Sequence, residues 1–328
     1  MSVLVTGGAG YIGSHTAYAL LDRGERVVVL DNLSTGVRAL VSPDAEFVEG
    51  DVGDGVLLTK TIREHKIDSV VHFAGSIVVP ESIAEPLQYY LNNTVASRAL
   101  IEACVDTGVE HFLFSSTAAV YGIPAAASVS EETATDPINP YGRSKLMTEW
   151  MLQDASRAYG GFRHIALRYF NVAGADPKGR TGQSTPRATH LIKRACQVAL
   201  GRVPHLDIFG TDYPTPDGTG VRDYIHVCDL ADAHLLALDA LRAGGEPARY
   251  NCGYGHGCSV REVIDTVEAV VGRKLPVREQ PRRPGDPPSL IADPTRLKTA
   301  LGWRPRYDDL KTIVASALEW ERRLNSAD

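Results

Sequence analysis

The sequence predicts an α/β fold, in which a parallel sheet carries helices on both faces and a smaller C-terminal α/β lobe follows it. Three observations support this prediction. Strands and helical stretches alternate through the first half of the chain, and strands such as Ser69 to Phe73 are nearly all apolar, which is typical of parallel strands covered on both faces. A glycine-rich turn joins the first strand to the first helix. From about Asn171 the alternation is lost and Gly, Pro and polar residues become frequent, which indicates a second lobe.

Length and composition limit the class of protein. A chain of 328 residues favours one large α/β unit with an appended lobe, or two domains. The formal charge of −6 gives no electrostatic reason to expect nucleic acid or an anionic membrane as a partner. Five cysteines without a C-x-x-C pair suit reduced thiols in the cytoplasm better than disulfides or a zinc site. We find no basic leader and no apolar run of about 18 residues, so we expect a cytoplasmic protein with neither a secretion signal nor a membrane span.

The first strand, Val3 to Val5, runs into a turn with glycines in a G-x-x-G-x-x-G spacing, and a helix begins near Tyr11. The glycines of this turn are Gly7, Gly10 and Gly13. Glycines let backbone N–H groups and the positive end of the helix dipole approach a pyrophosphate, where a Cβ would block the approach. The turn therefore predicts a dinucleotide site of the Rossmann type.

Acidic residues end the next two strands. The second strand, Arg26 to Leu30, leads to Asp31, whose carboxylate can accept hydrogen bonds from an adenosine ribose. The third strand, Glu46 to Glu49, leads to Asp51, which either faces the adenine or caps the helix that follows, roughly Asp54 to His65. These residues strengthen the dinucleotide prediction; the alternative is a tight turn with strand-end caps.

Small residues and hydroxyls end the next two strands. Phe73 to Gly75 closes the fourth strand, which is consistent with backbone lying close to a flat ligand. A long helical stretch from Pro86 to Thr107 follows, with Gly108 as its C-cap. The fifth strand, His111 to Ser116, ends in hydroxyls at the sheet edge where ligands bind in open α/β sheets. These hydroxyls belong to Ser115, Ser116 and Thr117.

A tyrosine and a lysine follow at helical spacing. A predicted loop, Ala125 to Pro140, leads to a helix that continues to about Tyr159. Tyr141 and Lys145 lie four residues apart, hence on one face of this helix and within reach of the same substrate. Such a pair is common by chance, so it proves little alone.

The second half has a less regular pattern. The elements predicted here are a strand Ile165 to Phe170, a helix Pro186 to Leu200, a loop Phe209 to Gly220, a strand Val221 to Val227, a helix Asp229 to Arg242 and a final helix Asp308 to Asn325. We assign residues 1–175, with a returning strand and helix near 220–245, to the dinucleotide domain. We assign residues 176–328 mainly to the second lobe.

Six sequence blocks carry a resemblance to a known family. They are VLVTGGAGYIGSH (Val3 to His15), SSTAAVYG (Ser115 to Gly122), PYGRSK (Pro140 to Lys145), RYFNVAG (Arg168 to Gly174), DGTGVRDYIHV (Asp217 to Val227) and RRPGD (Arg282 to Asp286). With these blocks the chain resembles the UDP-glucose 4-epimerase family of extended short-chain dehydrogenase/reductases over essentially its whole length. The resemblance implies a Rossmann-type domain with tightly held NAD, a smaller lobe that binds the UDP-sugar, no metal, and a homodimer.

The resemblance also implies a reaction. The protein would interconvert UDP-glucose and UDP-galactose, in galactose metabolism, by reversible hydride transfer at sugar C4 through a 4-keto intermediate. Tyr141 would take the proton of the 4-hydroxyl, and Thr117 would hydrogen-bond the sugar oxygen. A phenol with an ordinary pKa near 10 is a poor base at neutral pH, so Lys145 and the positively charged nicotinamide are expected to lower that pKa by favouring the phenolate.

Position by position, the resemblance assigns contacts. The residues implied to contact NAD are Gly7, Gly10, Tyr11, Ile12, Gly13, Asp31, Asn32, Asp51, Val52, Phe73, Ala74, Gly75, Asn92, Ser115, Tyr141, Lys145 and Tyr169. Those implied to bind the UDP-sugar are Thr117, Tyr141, Asn171, His190, Leu191, Arg222, Arg283, Asp286 and Leu290. Arg222 and Arg283 are the expected diphosphate ligands and Asp286 the ribose ligand, since strong contacts to UDP leave the hexose free to turn. Taken singly, each is also consistent with a surface ion pair.

The chain departs from the family pattern at four positions. Thr117 replaces Ser but keeps the hydroxyl. Ile77 replaces Lys, so any role of that lysine is absent. His190 replaces Asn, which leaves one sugar-nucleotide contact open; the alternative is a structural histidine. Leu290 stands at the gate position, where Tyr excludes N-acetylated sugars and small residues admit them. Leu is intermediate, so UDP-GlcNAc and UDP-xylose or UDP-arabinose remain alternative substrates.

Two other interpretations compete. A nucleotide-sugar 4,6-dehydratase or a UDP-glucuronate decarboxylase shares the fold, NAD, Tyr141 and Lys145, but those relatives carry an acid just after the hydroxyl, where this chain has Ala118 and Ala119. An NAD-sensing protein without catalysis needs neither Tyr141 nor Lys145. The helices after Pro86 and Tyr141 are candidates for the dimer surface, although an apolar helical stripe is more often plain core.

Overall fold

The computed structural model describes residues 1–185, 189–283 and 285–326. The strands, in chain order, are β1 (Ser2–Thr6), β2 (Arg26–Asp31), β3 (Glu46–Glu49), β4 (Ser69–His72), β5 (His111–Thr117), β6 (Ser128–Val129), β7 (Arg163–Tyr169), β8 (Asn171–Ala173), β9 (Leu206–Phe209), β10 (Val221–Arg222), β11 (Tyr224–His226), β12 (Ala248–Cys252), β13 (Cys258–Ser259), β14 (Val277–Gln280) and β15 (Ser289–Ala292). The α-helices are α1 (Tyr11–Asp22), α2 (Gly55–His65), α3 (Val79–Ala84), α4 (Pro86–Tyr89), α5 (Ala96–Thr107), α6 (Pro140–Ala158), α7 (Leu191–Ala199), α8 (Val227–Arg242), α9 (Val260–Val271), α10 (Thr295–Leu301) and α11 (Leu310–Ser326). A π-helical segment, Tyr90–Val95, joins α4 to α5.

Seven of these strands form one parallel sheet in the order β12-β7-β5-β4-β1-β2-β3. Because β1 lies between β2 and β4, the strand order reverses beside it and a crevice opens at the carboxyl ends of β1 and β4. Every residue of β1 is buried. The predicted α/β fold with a Rossmann-type parallel sheet is confirmed.

The large sheet separates two hydrophobic cores. Along β1, Val3 and Val5 belong to one core and Leu4 to the other, because successive side chains of a strand alternate between its faces. Helices α1 and α8 close the first core, and helices α2, α5 and α6 close the second. Covering on both faces explains why the strands are almost continuously apolar.

Three small sheets build the second lobe, in the orders β13-β10-β15-β6, β11-β8 and β14-β9. The predicted continuous strand Val221 to Val227 is wrong, because the chain breaks at Asp223 into β10 and β11, which belong to different sheets. The strand that returns to the large sheet is β12, which follows α8 and pairs with β7. The division of the chain into residues 1–175 and 176–328 stays a prediction.

Three local predictions differ from the structure. The helical stretch from Pro86 to Thr107 is interrupted by the π-helical segment, although Gly108 does cap its end in the left-handed conformation. The helix expected from Pro186 begins only at Leu191; residues 186–188 lie outside the described part of the chain. The expected loop before α6 contains β6, which is two residues long and therefore too short to give a periodic signal.

Three further observations bear on the class of protein. The cysteines are all free thiols: Cys104, Cys196, Cys228, Cys252 and Cys258. No helix within the described ranges is both long enough and apolar enough to cross a membrane. Over the same ranges, no three His, Cys, Asp or Glu side chains are grouped to hold a metal ion.

Candidate active site

The glycine turn leaves a backbone cradle at the carboxyl end of β1. Gly7 has a φ of +70°, and a Cβ there would lie 2.6 Å from the backbone nitrogen of Ala74. A Cβ on Gly13 would lie 2.2 Å from the carbonyl oxygen of Gly7. Gly10 is the N-cap of α1, and no side chain bonds the free N–H groups of the first turn. These groups and the helix dipole therefore suit an anion such as a dinucleotide pyrophosphate.

Tyr11 and Ile12 follow these glycines and open α1. The phenol of Tyr11 donates to the carbonyl oxygen of Gly174 at 2.6 Å, so this side chain is committed to the fold. Tyr11 and Ile12 can therefore bind a phosphate through their backbone N–H groups.

Asp31 lies at the end of β2, buried beside the glycine turn. Its carboxylate accepts hydrogen bonds from the backbone nitrogens of Ala9 at 3.0 Å and Leu33 at 2.8 Å. Burial raises the pKa of this carboxyl group, and the two bonds oppose that rise. The carboxylate thus braces the turn, and its remaining lone pairs are available to the hydroxyls of a ribose.

Asp51 does not cap the following helix. Its carboxylate accepts from Asn32 Nδ2 at 2.8 Å and from the backbone nitrogen of Gly53 at 2.7 Å. The N-cap of α2 is Asp54, which accepts from the first-turn N–H groups. The capping alternative for Asp51 is therefore wrong. Val52, which follows it, is buried in the core under β2.

Phe73, Ala74 and Gly75 follow the strand β4 and lie beside the π-helical segment. The side chain of Asn93, in this segment, accepts from the backbone nitrogen of Ser76 at 2.7 Å and donates to the Ser76 carbonyl at 3.0 Å. The neighbouring Asn92, predicted to contact NAD, donates to the hydroxyl of Ser76 at 3.1 Å. Asn93 was missed by the sequence analysis, because the π turn inserts a residue and shifts the helical face that regular spacing predicts.

Thr117, Tyr141 and Lys145 meet at the carboxyl end of β5. Asn139 caps α6 by accepting from the backbone nitrogen of Gly142 at 2.8 Å, which sets the first turn that carries Tyr141. The hydroxyl of Thr117 hydrogen-bonds the phenol of Tyr141. Lys145 is 3% exposed, and its Nζ donates to the carbonyl oxygen of Ser115 at 3.0 Å. The structure thus brings the three residues predicted to be catalytic together.

Burial shapes the acidity of this group. Burial raises the pKa of Tyr141 above its ordinary value, and the hydrogen bond with Thr117 opposes the rise. Burial also lowers the pKa of Lys145 to about 8. Without a further positive charge the phenol is therefore neutral at pH 7. A phenolate at this position needs a bound cation beside it, and an oxidised nicotinamide carries such a charge.

A buried ion pair supports the catalytic helix. Glu149 lies one turn beyond Lys145, and Arg168 of β7 donates to its two carboxylate oxygens at 2.9 and 2.6 Å. The hydroxyl of Ser116 donates to the same carboxylate at 2.5 Å. Next to this pair, the hydroxyls of Ser115 and Tyr169 hydrogen-bond each other. Glu149 is not among the predicted site residues, although its spacing of four from Lys145 was a usable signal.

Arg222, Asp286 and Leu290 come together through the pairing of β10 with β15. Arg222 lies opposite Leu290 in that register, and its Nη2 is 3.6 Å from Asp286 Oδ1. Arg283 places its guanidinium 3.8 Å from the ring centroid of Phe209. Arg222 and Arg283 thus lie on either side of Asp286 in the second lobe, and we call this pair of arginines the positive site. Two guanidinium groups are suited to binding a diphosphate.

A cleft runs between α7 and β8. Asn171, His190 and Leu191 line it, together with Tyr11. His190 is the N-cap of α7, and its Nδ1 lies 3.2 Å from Gln183 Nε2. Burial lowers the pKa of His190, so the imidazole is neutral at pH 7.

The second lobe reaches the catalytic elements through Leu290. This side chain packs against a buried cluster that includes Ala118, next to Thr117, and Leu146, next to Lys145. Ile77, at the position where the family often has Lys, is 45% exposed. The cradle and the catalytic group therefore lie at the same edge of the large sheet, at the carboxyl ends of β1 and β5, and Leu290 of the second lobe packs beside the catalytic group.

A glycine cradle, an acid at the end of β2 and a Thr-Tyr-Lys group at one sheet edge define an enzyme that acts with a nucleotide cofactor. The sequence model of the NAD dependent epimerase/dehydratase family matches residues 3–253. A UDP-glucose 4-epimerase from Azospirillum brasilense is 59% identical over 325 residues, which cover 99% of this chain and 93% of that protein. The chain belongs to this family, among its UDP-glucose 4-epimerases.

Solved structures agree with this assignment. The UDP-glucose 4-epimerase from Brucella ovis in complex with NAD has a TM-score of 0.94 and 46% identity, covering 97% of this chain and 98% of that one. The UDP-Glc/GlcNAc 4-epimerase from Campylobacter jejuni has a TM-score of 0.86 and 49% identity, covering 98% and 99%. The predictions of the family, of an NAD-dependent epimerase and of NAD as its cofactor are confirmed.

Proposed function

We propose that this protein interconverts UDP-glucose and UDP-galactose by reversible oxidation at C4 of the hexose, with NAD bound throughout. The observation that carries this proposal is the meeting of Thr117, Tyr141 and Lys145 beside the glycine cradle. The match to the NAD dependent epimerase/dehydratase family supports the proposal, as does the similarity to relatives that are UDP-glucose 4-epimerases. We further propose that the enzyme works in the cytoplasm, where free thiols persist, and serves galactose metabolism.

The cradle fits the cofactor. The first-turn N–H groups of α1 would hold the pyrophosphate, and Asp31 would accept from the adenosine ribose. Asp51, with Asn32 and Val52, would border the adenine, while Phe73, Ala74, Gly75 and Asn92 would border the other half. Ser115, Lys145 and Tyr169 would face the nicotinamide end. Bound NAD supplies the hydride acceptor and donor of the exchange, together with a positive charge.

Tyr141, Thr117 and Lys145 have different roles in the proposed proton transfer. Tyr141, as phenolate, takes the proton of the sugar 4-hydroxyl, and Thr117 holds the same oxygen by a hydrogen bond. Lys145 keeps a positive charge near the phenol and is itself held by Ser115. Loss of this proton, together with loss of the C4 hydride to the bound NAD, would give a 4-keto sugar that turns over within the site. When the hydride returns to the opposite face of C4, Tyr141 would give the proton back to the 4-oxygen. Epimerisation therefore needs no net oxidant.

The substrate must be held by its UDP and not by its hexose. In this structure Arg222 is paired with Asp286, and Arg283 lies over Phe209. A diphosphate would draw both guanidinium groups away from these partners, leaving Asp286 free to accept from the ribose. Asn171, His190 and Leu191 would line the same nucleotide. Charge-assisted bonds to UDP beside few contacts to the sugar allow the keto intermediate to turn without leaving.

The direct test uses the purified protein without added NAD or reductant. We expect UDP-glucose to be converted to UDP-galactose, and denaturation to release NAD from the protein. Protein that contains NAD but leaves both sugars unchanged would contradict the proposed reaction. No acid follows Thr117, since Ala118 and Ala119 stand there, so elimination to a 4-keto-6-deoxy sugar is not expected.

The substrate range depends on Leu290, which is partly buried at the meeting of the two lobes. The relative from Campylobacter jejuni is named for both UDP-Glc and UDP-GlcNAc. We expect Leu290→Tyr to lower kcat/KM for UDP-GlcNAc relative to UDP-glucose by about 10- to 200-fold, because the larger ring removes space for the acetamido group. Both sugars, with UDP-xylose beside them, are assayed on both proteins; an unchanged ratio would show that Leu290 is not the gate.

A homodimer is proposed from an exposed apolar surface. Leu87, Leu91 and Val95 lie four residues apart along α4 and the π-helical segment, and are 80%, 52% and 53% exposed. Trp150, on the adjoining α6, is 54% exposed. Large apolar side chains that share one face of two packed helices suit an interface with a second copy of the same chain.

Replacing Leu91 by Glu is expected to convert the dimer to a monomer, because a charge would be buried at the interface without a partner. Light scattering after size exclusion measures the mass. Val56→Glu is the matched control, since Val56 is 83% exposed on α2 and is not among the side chains of this surface. A wild-type monomer, or a Leu91→Glu dimer of wild-type stability, would refute this interface.

A further inference from the structure

Asp223 is a fully buried carboxylate at the point where the chain passes from β10 to β11. Its Oδ1 accepts from the backbone nitrogen of Tyr254 at 2.9 Å. Its Oδ2 accepts from the backbone nitrogens of Gly255 at 3.0 Å and Ala292 at 3.2 Å. Its own carbonyl oxygen accepts from the backbone nitrogen of Asn171 at 3.0 Å. One residue thus joins β8, β15 and the segment after β12.

Two of these attachments end on or beside residues proposed to bind the substrate, and the chain itself supplies a third such neighbour. Arg222 directly precedes Asp223 in the chain, and Asn171 is bonded to it. Ala292 is the second residue after Leu290 on β15. Neither the cradle for NAD nor the Thr-Tyr-Lys group is bonded to this carboxylate. The connections of Asp223 therefore lead to the nucleotide-sugar side of the site alone.

All three bonds to the carboxylate come from N–H donors, so this position requires an acceptor at both oxygens. An amide would turn one acceptor into a donor and leave at least one buried N–H group facing another N–H. A buried N–H group without an acceptor costs free energy, and the strands held by the carboxylate would shift to relieve that cost.

We propose that Asp223 is a positioning residue for the UDP-sugar: its carboxylate fixes β10, β15 and β8 relative to one another, so that Arg222, Asn171 and Leu290 converge on one ligand. This inference rests on the proposed function, because it concerns how the UDP part of the substrate is gripped. It assigns Asp223 no contact with substrate and no part in the chemistry.

The first test is Asp223→Asn in the NAD-loaded protein. We expect the Kd of UDP, measured by calorimetry, and the KM of UDP-glucose to rise by about 10-fold or more, since one lost buried bond has a cost of that order. We expect kcat to stay within about threefold and the NAD content to be unchanged, because the catalytic group is not attached to Asp223.

Asp229→Asn is the matched control. Asp229 is equally buried and accepts from the backbone nitrogens of Arg306 at 2.8 Å and Tyr307 at 2.9 Å and from the hydroxyl of Tyr254 at 2.6 Å. None of these donors is a residue proposed to bind substrate. It is expected to lower the melting temperature as Asp223→Asn does, while the Kd of UDP stays near the wild-type value. Equal Kd values for the two variants would overturn the inference.

A second variant disturbs the carboxylate without removing its charge. A Cβ on Gly253 would lie 2.6 Å from Asp223 Oδ2 and 2.7 Å from the Cβ of Ala292. Gly253→Ala is therefore expected to weaken UDP binding in the same direction, whereas Gly55→Ala, with open space around it, is not. If Asp223→Asn fails to fold, an unchanged Kd in Gly253→Ala overturns the inference. A wild-type protein that does not bind UDP would refute the proposed function instead.

Discussion

Replacing Tyr141 by Phe is expected to lower kcat by about 10²- to 10⁴-fold, the range that a positioned acid or base contributes. The change removes one oxygen from a side chain that hydrogen-bonds Thr117 at the carboxyl end of β5. It leaves the ring in place, so the packing of α6 is kept. Steady-state conversion of UDP-glucose measures kcat, and the KM is expected to change far less, because UDP is held by other residues.

The matched control for Tyr141→Phe is Tyr159→Phe. Tyr159 follows the same helix as its C-cap and is 51% exposed, so its hydroxyl is far along the chain from the catalytic group. The control is expected to keep wild-type kcat. Both variants are expected to retain NAD, which is checked by the absorbance released on denaturation. A Tyr141→Phe protein with NAD bound and near-normal turnover would rule out Tyr141 as the base.

The first half of the fold could be predicted closely because its signals are local. The strands β1, β2 and β3 begin and end within a residue of the predicted positions, since each is an apolar run ended by glycine or an acid. The glycine turn was equally visible, because only a residue without a Cβ fits at Gly7 and Gly13. These signals can be recognised within each stretch, even where the atom that excludes a Cβ, as at Gly7, belongs to the distant Ala74.

The strands of the second lobe could not be predicted in the same way, because hydrogen bonds between residues far apart in the chain determine where they lie. The strands β10, β13 and β6 are two residues long, too short for any periodic pattern. Their positions depend on side chains such as Asp223, which bonds Ala292 across 69 positions of the chain. Asn93 was not predicted because a π turn breaks the regular helical spacing. The partner of Glu149 was not predicted because Arg168 lies on a different element, 19 positions along the chain.

Replacing Lys145 by Met is expected to lower kcat by about 10²- to 10³-fold, as removal of a fixed charge near a developing oxyanion does. Methionine keeps the length of the side chain but neither the charge nor the donor to the Ser115 carbonyl. The matched control is Lys60→Met, since Lys60 is 65% exposed and only loosely paired with Glu64. An unimpaired Lys145→Met enzyme would show that the phenolate needs no ammonium.

Lys145→Met also tests the burial of Lys145 through its effect on the free energy of unfolding. The variant is expected to lose activity but not to lose stability. The pKa of Lys145 is about 8 in the folded chain, against about 10.4 for an unfolded lysine. Below pH 8 both states carry the proton, and burying the charge costs about 3 kcal/mol. Lys145→Met removes that cost but leaves the Ser115 carbonyl without its donor, at a penalty of about 1 to 3 kcal/mol. At pH 7 the variant is therefore expected to be at least as stable as wild type.

Between pH 8 and about 10.4 the unfolded state of the wild type binds more protons than the folded state, so this lysine's contribution to stability rises with pH. The advantage of Lys145→Met over wild type should therefore shrink across that window, whereas Lys60→Met should follow wild type throughout. Urea unfolding of NAD-free protein at pH 7, 8, 9 and 10 measures the difference. A difference that stays constant with pH would mean that the ammonium of Lys145 keeps its ordinary pKa, and hence that it is solvated and not held in the dry site.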